Sequence, residues 1–212
     1  MGKIVLTKKF YQRDTRVVAK DLLGKYLCRK IGKKVICGKI IETEAYRGEN
    51  DLACHASRGR TKRTETMYGE AGRSYIYLCY GMYWMLNIVT EQKNFPAAVL
   101  IRALEPASSL SLRGGECPRS NLISYKLSES IDSKSRRLKA KSYKLLSGPG
   151  KLTKNLQITG KLNGEDLTVS KELWAEDRGV IIKKSDIISS PRIGVNYAKH
   201  SALWPWRFYL QS

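Results

Sequence analysis

Between residues 26 and 104 the chain runs as short apolar segments of strand length, each closed by a turn signal, and this rhythm leaves little room for long helices. Residues 26–29 and 35–46 read as a hairpin with Gly32-Lys33-Lys34 at its turn. Gly69-Glu70-Ala71-Gly72 reads as a second turn leading into a strand at 74–79, with 83–90 as the return strand and 98–104 as a further one. Helical signal comes in short pieces: Asp14 and Thr15 can cap an amphipathic helix through Val17, Val18, Leu22 and Leu23, and Gly24 can stop it. The closing aromatic segment 204–209 reads as a core strand, with Arg207 placed to reach a phosphate. Many short strands and few helices predict an α+β fold. The expectation is a single domain over residues 1–212, built on a curved, mostly antiparallel β-sheet with peripheral helices and a protruding β-hairpin.

Charge narrows the partners. The chain carries 39 Lys and Arg against 19 Asp and Glu, a formal charge of +20. A field of that sign attracts polyanions, whether nucleic acid by counterion release or an anionic membrane surface. A lysine-rich soluble protein is the other reading, and composition does not separate the two. Part of the excess lies in a basic Ser/Lys/Arg-rich excursion at about 107–146, where Arg136, Arg137, Lys139, Lys141 and Lys144 face few acids. Such a run reads as a solvated loop or helix face, or as a stretch lying along phosphates. No membrane partner is expected, because Ala97-Ala98-Val99-Leu100-Ile101 falls far short of a span and the N-terminus has no signal-peptide core. The cysteines at 28, 37, 54, 79 and 117 are odd in number and lack C-x-x-C spacing, with only His55 and His200 beside them. They predict no metal site and read as small core residues in a reducing cytoplasm.

Two constellations carry chemistry. In Ile41-Glu42-Thr43-Glu44-Ala45-Tyr46, residues two apart share a strand face, so Glu42, Glu44 and Tyr46 line up opposite Ile41, Thr43 and Ala45. Two carboxylates beside a ring suit a reaction that needs a base and an aromatic plate; an edge strand whose acids face water is the plainer reading. The second constellation runs from Tyr75 to Trp84. Tyr75 and Tyr77 share a face, and Tyr80 and Met82 flank Gly81, where a tight reversal fits. A hairpin tip bearing Tyr and Met is awkward to leave in water, and minor-groove binders use such side chains as wedges between base pairs. Core packing is the alternative for each ring.

Glu42-Thr43-Glu44-Ala45-Tyr46, then His55-Ala56-Ser57-Arg58-Gly59-Arg60-Thr61, Tyr75-Ile76-Tyr77-Leu78-Cys79-Tyr80-Gly81-Met82-Tyr83, Asn87, and Arg102-Ala103-Leu104-Glu105-Pro106 closely resemble the alkyladenine (3-methyladenine) DNA glycosylase family. Ser147-Gly148-Pro149-Gly150-Lys151-Leu152, Arg192-Ile193-Gly194-Val195 and Pro205-Trp206-Arg207-Phe208 extend the likeness, in order, over nearly the whole chain. Two departures stand out: the basic stretch after Pro106 is longer than the family's usual connection, and Thr64 stands where the pattern often continues with Asn.

The resemblance implies a monofunctional glycosylase that flips alkylated or deaminated purines out of double-stranded DNA and hydrolyses the N-glycosidic bond, initiating base excision repair. A non-catalytic nucleic-acid-binding module on the same scaffold is the alternative. By the same resemblance Glu44 is the general base and Arg102 helps hold it. Tyr46, His55 and Tyr77 wall the base pocket, and Asn87 crowds the amino group of guanine. Tyr80 is the wedge that fills the gap left by the flipped nucleotide, with Met82 beside it. No lysine stands at the catalytic position, so water is the nucleophile, and no metal or organic cofactor is implied. A monomer is expected, in a bacterial-type cytosol and nucleoid or in a nucleus.

Overall fold

The computed structural model describes residues 3–107 and 146–211; most of the basic excursion, and Cys117 within it, lies outside the described residues. In chain order the elements are β1 (Ile4–Val5), α1 (Lys8–Tyr11), α2 (Thr15–Asp21), β2 (Tyr26–Ile31), β3 (Lys34–Arg47), β4 (Ser74–Cys79), β5 (Tyr83–Val89), β6 (Ala97–Pro106), α3 (Pro149–Asn155), β7 (Leu173–Asp177), β8 (Ile187–Ser190) and β9 (Arg207–Leu210). The strands form one sheet in the order β1-β7-β2-β3-β6-β5-β4, with β9 pairing β3 and β8. Every strand pairing among the described residues is antiparallel, as the alternating pattern predicts. No helix among them is long and apolar enough to cross a membrane.

The long strand β3 organises the sheet. Its first half pairs with β2, its second half with β6, and Glu42 to Glu44 also pair with β9. The β3–β6 register slips on either side of Glu42, leaving Ile41 and Arg102 out of step with the ladder. Such bulges re-aim side chains. Below the sheet, Asp14 caps α2 by accepting from the amides of Arg16 and Val17, and Gly24, at φ +83°, follows its end. The helix buries Val18 and Ala19, with Leu22 and Leu23 just beyond it, against Leu27, Ile40, Ile101 and Leu104. Thr43 Oγ1 donates to the Ala19 carbonyl at 2.8 Å, pinning β3 to α2 on the face opposite Glu42 and Glu44.

Two expectations are corrected here. Cys28 and Cys37 are not free core thiols: they stand opposite one another in the β2–β3 register, with Cα atoms 4.2 Å apart, and form a disulfide. Cysteine parity along a chain says nothing about which residues a hairpin register places face to face. Cys54 and Cys79 are free, the first buried. Arg207 does not reach out for a phosphate. β9 lies beside β3, so its guanidinium meets Glu42 (Nε to Oε1, 2.6 Å) and Ser190 Oγ (3.1 Å). The closing strand also begins later than the sequence suggests, at Arg207; Phe208 is its buried ring, while Trp204 lies half-buried ahead of it.

α3 and the turn after it press on β5 through glycines. A Cβ on Gly160 would meet the Trp84 ring at 2.7 Å, and one on Gly150 the Tyr83 ring at 2.9 Å. Gly160→Ala is therefore expected to destabilise the fold by about 1–3 kcal/mol, the usual range for overpacking, measured as a lower urea midpoint at unchanged m-value.

Candidate active site

The β3 face carrying Glu42, Glu44 and Tyr46 forms as the two-residue period predicts, and the bulge brings Arg102 onto it. The carboxylate of Glu44 has no solvent exposure. A buried charge is tolerable only when it is paired and hydrogen-bonded. Its Oε1 accepts from the Ile193 amide at 2.8 Å and lies 3.3 Å from Arg102 Nη1; its Oε2 accepts from the Tyr46 hydroxyl at 2.8 Å. Arg102 Nε donates to Glu42 Oε1 at 2.9 Å, so one guanidinium serves both acids. Arg207 gives Glu42 a second partner. Burial and the neighbouring Glu44 charge hold the Tyr46 phenol well above its ordinary range, so it stays protonated and donates.

Above this carboxylate opens a cavity of about 420 Å³, lined among others by Tyr46, His55, Tyr77, Asn87, Arg102 and Ile193. Glu44 lies beneath its wall: the three groups that hold it line the space, and it does not. His55 and Tyr77 meet edge to face with centroids 4.5 Å apart, and Tyr75 lies 5.5 Å from Tyr77. His55 Nδ1 bonds to the Tyr75 hydroxyl at 2.9 Å. Burial, then the charges of Arg63 and Arg58, lowers the His55 pKa to about 4. Asn87 is buried with its amide donating to the Tyr75 carbonyl at 3.1 Å. At the rim, Tyr80-Gly81-Met82 closes the β4–β5 hairpin. Tyr80 (φ +49°) is 87% exposed and Met82 68%, and Tyr80 lines the cavity.

Residues 9–212 match the methylpurine-DNA glycosylase family. The chain belongs to this family. It is 48% identical over 205 residues to a protein of Methanocella arvoryzae, covering 97% of this chain and 92% of the relative. It is 43% identical over 213 residues to one of Carboxydothermus hydrogenoformans, covering 99% and 96%. A Legionella pneumophila protein is 42% identical over 206 residues, covering 97% and 94%. All three are provisionally named 3-methyladenine DNA glycosylase.

In this methylpurine-DNA glycosylase family member, several site residues escaped the sequence reading of roles. Arg192 is fully buried in a two-armed pair with Asp51 (2.5 and 2.7 Å), donates to the carbonyls of Ala45 and Ser201, and sits 4.8 Å over the Tyr46 ring. This clamp fixes the segment whose next amide, Ile193, binds Glu44. Its run Arg192-Ile193-Gly194-Val195 belongs to the family likeness, but nothing local announces Asp51 as its partner. Arg63 and Tyr197 also line the cavity.

The pocket wall sets a pH dependence. The His55 pKa falls from 6.5 to about 4 on folding, so its neutral form is the one the fold favours. The stability this contributes is complete above the unfolded value and is lost as pH falls from there toward the folded value. NMR titration should show the imidazole still neutral at pH 6, and His55→Gln should lose less stability than the parent between pH 7 and pH 4.5.

Proposed function

We propose that Glu44 is the general base for hydrolysis of a damaged nucleotide whose purine, flipped out of the duplex, occupies the aromatic cavity. The chain is a DNA repair glycosylase, a hydrolase of N-glycosyl bonds acting on DNA with damaged bases. One observation carries the assignment of the base: a fully buried carboxylate beneath the wall of the aromatic cavity, held by two hydrogen-bond donors and the Arg102 guanidinium. A carboxylate has about four lone-pair directions, so the two hydrogen bonds and the ion pair leave capacity to accept from a water aimed at C1′. Glycosidic cleavage passes through an oxocarbenium-like state, so a nearby carboxylate both orients the water and stabilises positive charge.

Tyr46, Tyr77 and His55 are the walls against which the purine stacks. Electron-rich ring faces attract a cationic alkylated base by roughly 0.5–2 kcal/mol per contact. His55, neutral at physiological pH, bonds and stacks and does not act as an acid. Asn87, in the cavity lining, is the residue that crowds an exocyclic amino group in this reading. The cavity lining among the described residues includes no lysine, which supports attack by water in a monofunctional enzyme. Tyr80, exposed at the hairpin tip, is the wedge, with Met82 beside it; unstacking costs a few kcal/mol, which a wedge offsets. The chain works as one domain and one copy, in the compartment that holds the genome: cytosol and nucleoid, or nucleus. A binding module without catalysis would gain nothing from burying an acid that repels phosphates.

Glu44→Gln should lower single-turnover base release by at least about 100-fold while binding to lesion-bearing duplex stays within a few-fold; equal loss of both would make the residue structural. Tyr80→Ala should slow excision from duplex by about 10-fold or more and leave single-stranded substrate nearly unaffected. The direct assay is release of free base from duplexes each bearing one defined lesion.

A further inference from the structure

The cavity holds a cation that the mechanism above does not use. Arg102 is engaged by Glu42 and Glu44, and Arg192 by Asp51. Arg63 lines the same cavity, at its exposed rim, and pairs with no carboxylate among the described residues. Its Cζ sits 5.2 Å from the centroid of the Tyr77 ring, the plate on which the purine stacks. Its field reaches the pocket wall, since after burial it is the largest contributor holding His55 neutral.

We propose that Arg63 stabilises the electron density that the departing purine acquires, acting as an electrostatic partner to the leaving group; this rests on the cavity being the base pocket. In the cleavage step the water oxygen bonds to C1′, its proton passes to Glu44, and the C1′–N9 electron pair leaves on the purine. The base therefore gains one unit of negative charge, whatever charge it began with. Cationic 7-methylguanine departs neutral, and neutral hypoxanthine departs as its anion and takes a proton from solvent. A fixed cation beside the base favours that change in both cases, and only interactions stronger in the transition state than in the ground state raise the chemical rate.

The two lesions separate this role from others. Measured from free duplex, a cationic lesion starts at +1 and reaches the transition state with a nearly neutral base, so Arg63 repels the bound ground state and hardly touches the transition state. A neutral lesion starts uncharged and ends negative, so Arg63 helps it all the way. Single-turnover excision of both lesions from one duplex sequence, by the parent, Arg63→Gln and Arg63→Lys, reads the difference. With glutamine the saturating rate should fall about 10-fold on both lesions. The second-order constant should fall by a similar factor on hypoxanthine and change less than about 2-fold on 7-methylguanine, because tighter binding offsets the slower step. Lysine, which keeps the charge, should recover most of the loss. An equal fall of the second-order constant on both lesions would mean that Arg63 grips a phosphate or supports the fold, and would overturn the inference alone. So would unchanged saturating rates. No base release by the parent would overturn the glycosylase reading and this inference with it.

Discussion

Everything at the site follows from one unfavourable act, the complete removal of the Glu44 carboxylate from water. The surrounding strands and loops answer it with alternating charge: Arg207 on Glu42, Arg102 shared by Glu42 and Glu44, and Arg192 on Asp51. Three acids meet three guanidiniums, so this cluster is neutral although the chain as a whole carries +20. Neutrality alone would not suffice, because a buried ion pair recovers its desolvation cost only when the remaining lone pairs are also met. The Ile193 amide and the Tyr46 hydroxyl meet two of them. Arginine suits the task since its planar fork binds in two directions at once, which lets Arg102 bridge neighbouring acids on one strand face.

That network explains why β3 is long and irregular. It must reach α2 on one face, through Thr43, while presenting Glu42, Glu44 and Tyr46 on the other, and it must take β2, β6 and β9 as neighbours along its length. The double slip against β6 allows Arg102 to join the acids without breaking the ladder on either side. The candidate site lies at a departure from regular pairing, as bulges beside active sites commonly do.

The sheet was legible because alternation has a fixed period and turns have characteristic residues: the strands after 26, 35, 74 and 83 and the capped helix at Asp14 follow directly from those rules. The shared face of Glu42, Glu44 and Tyr46 was legible for the same reason. A catalytic use was not legible there, since an edge strand shows the same alternation; only the resemblance of several segments taken in order suggested one. Contacts set by three-dimensional register stayed out of reach. Cys28 opposite Cys37, Arg207 beside Glu42 and Asp51 under Arg192 each join residues whose meeting depends on which strands or loops become neighbours. No local pattern encodes that choice.

The two glycines beneath the β4–β5 hairpin bear on how the molecule handles its partner. Tyr83 and Trp84, at the start of β5, rest directly on the backbones of Gly150 and Gly160, which leaves the root of the hairpin no room to rock. The foot of the hairpin is thereby packed against α3 and the turn after it. The distance between the ring of Tyr80 and the mouth of the cavity is thus decided during folding, and residues at the foot of the hairpin set the reach of the side chain proposed as the wedge.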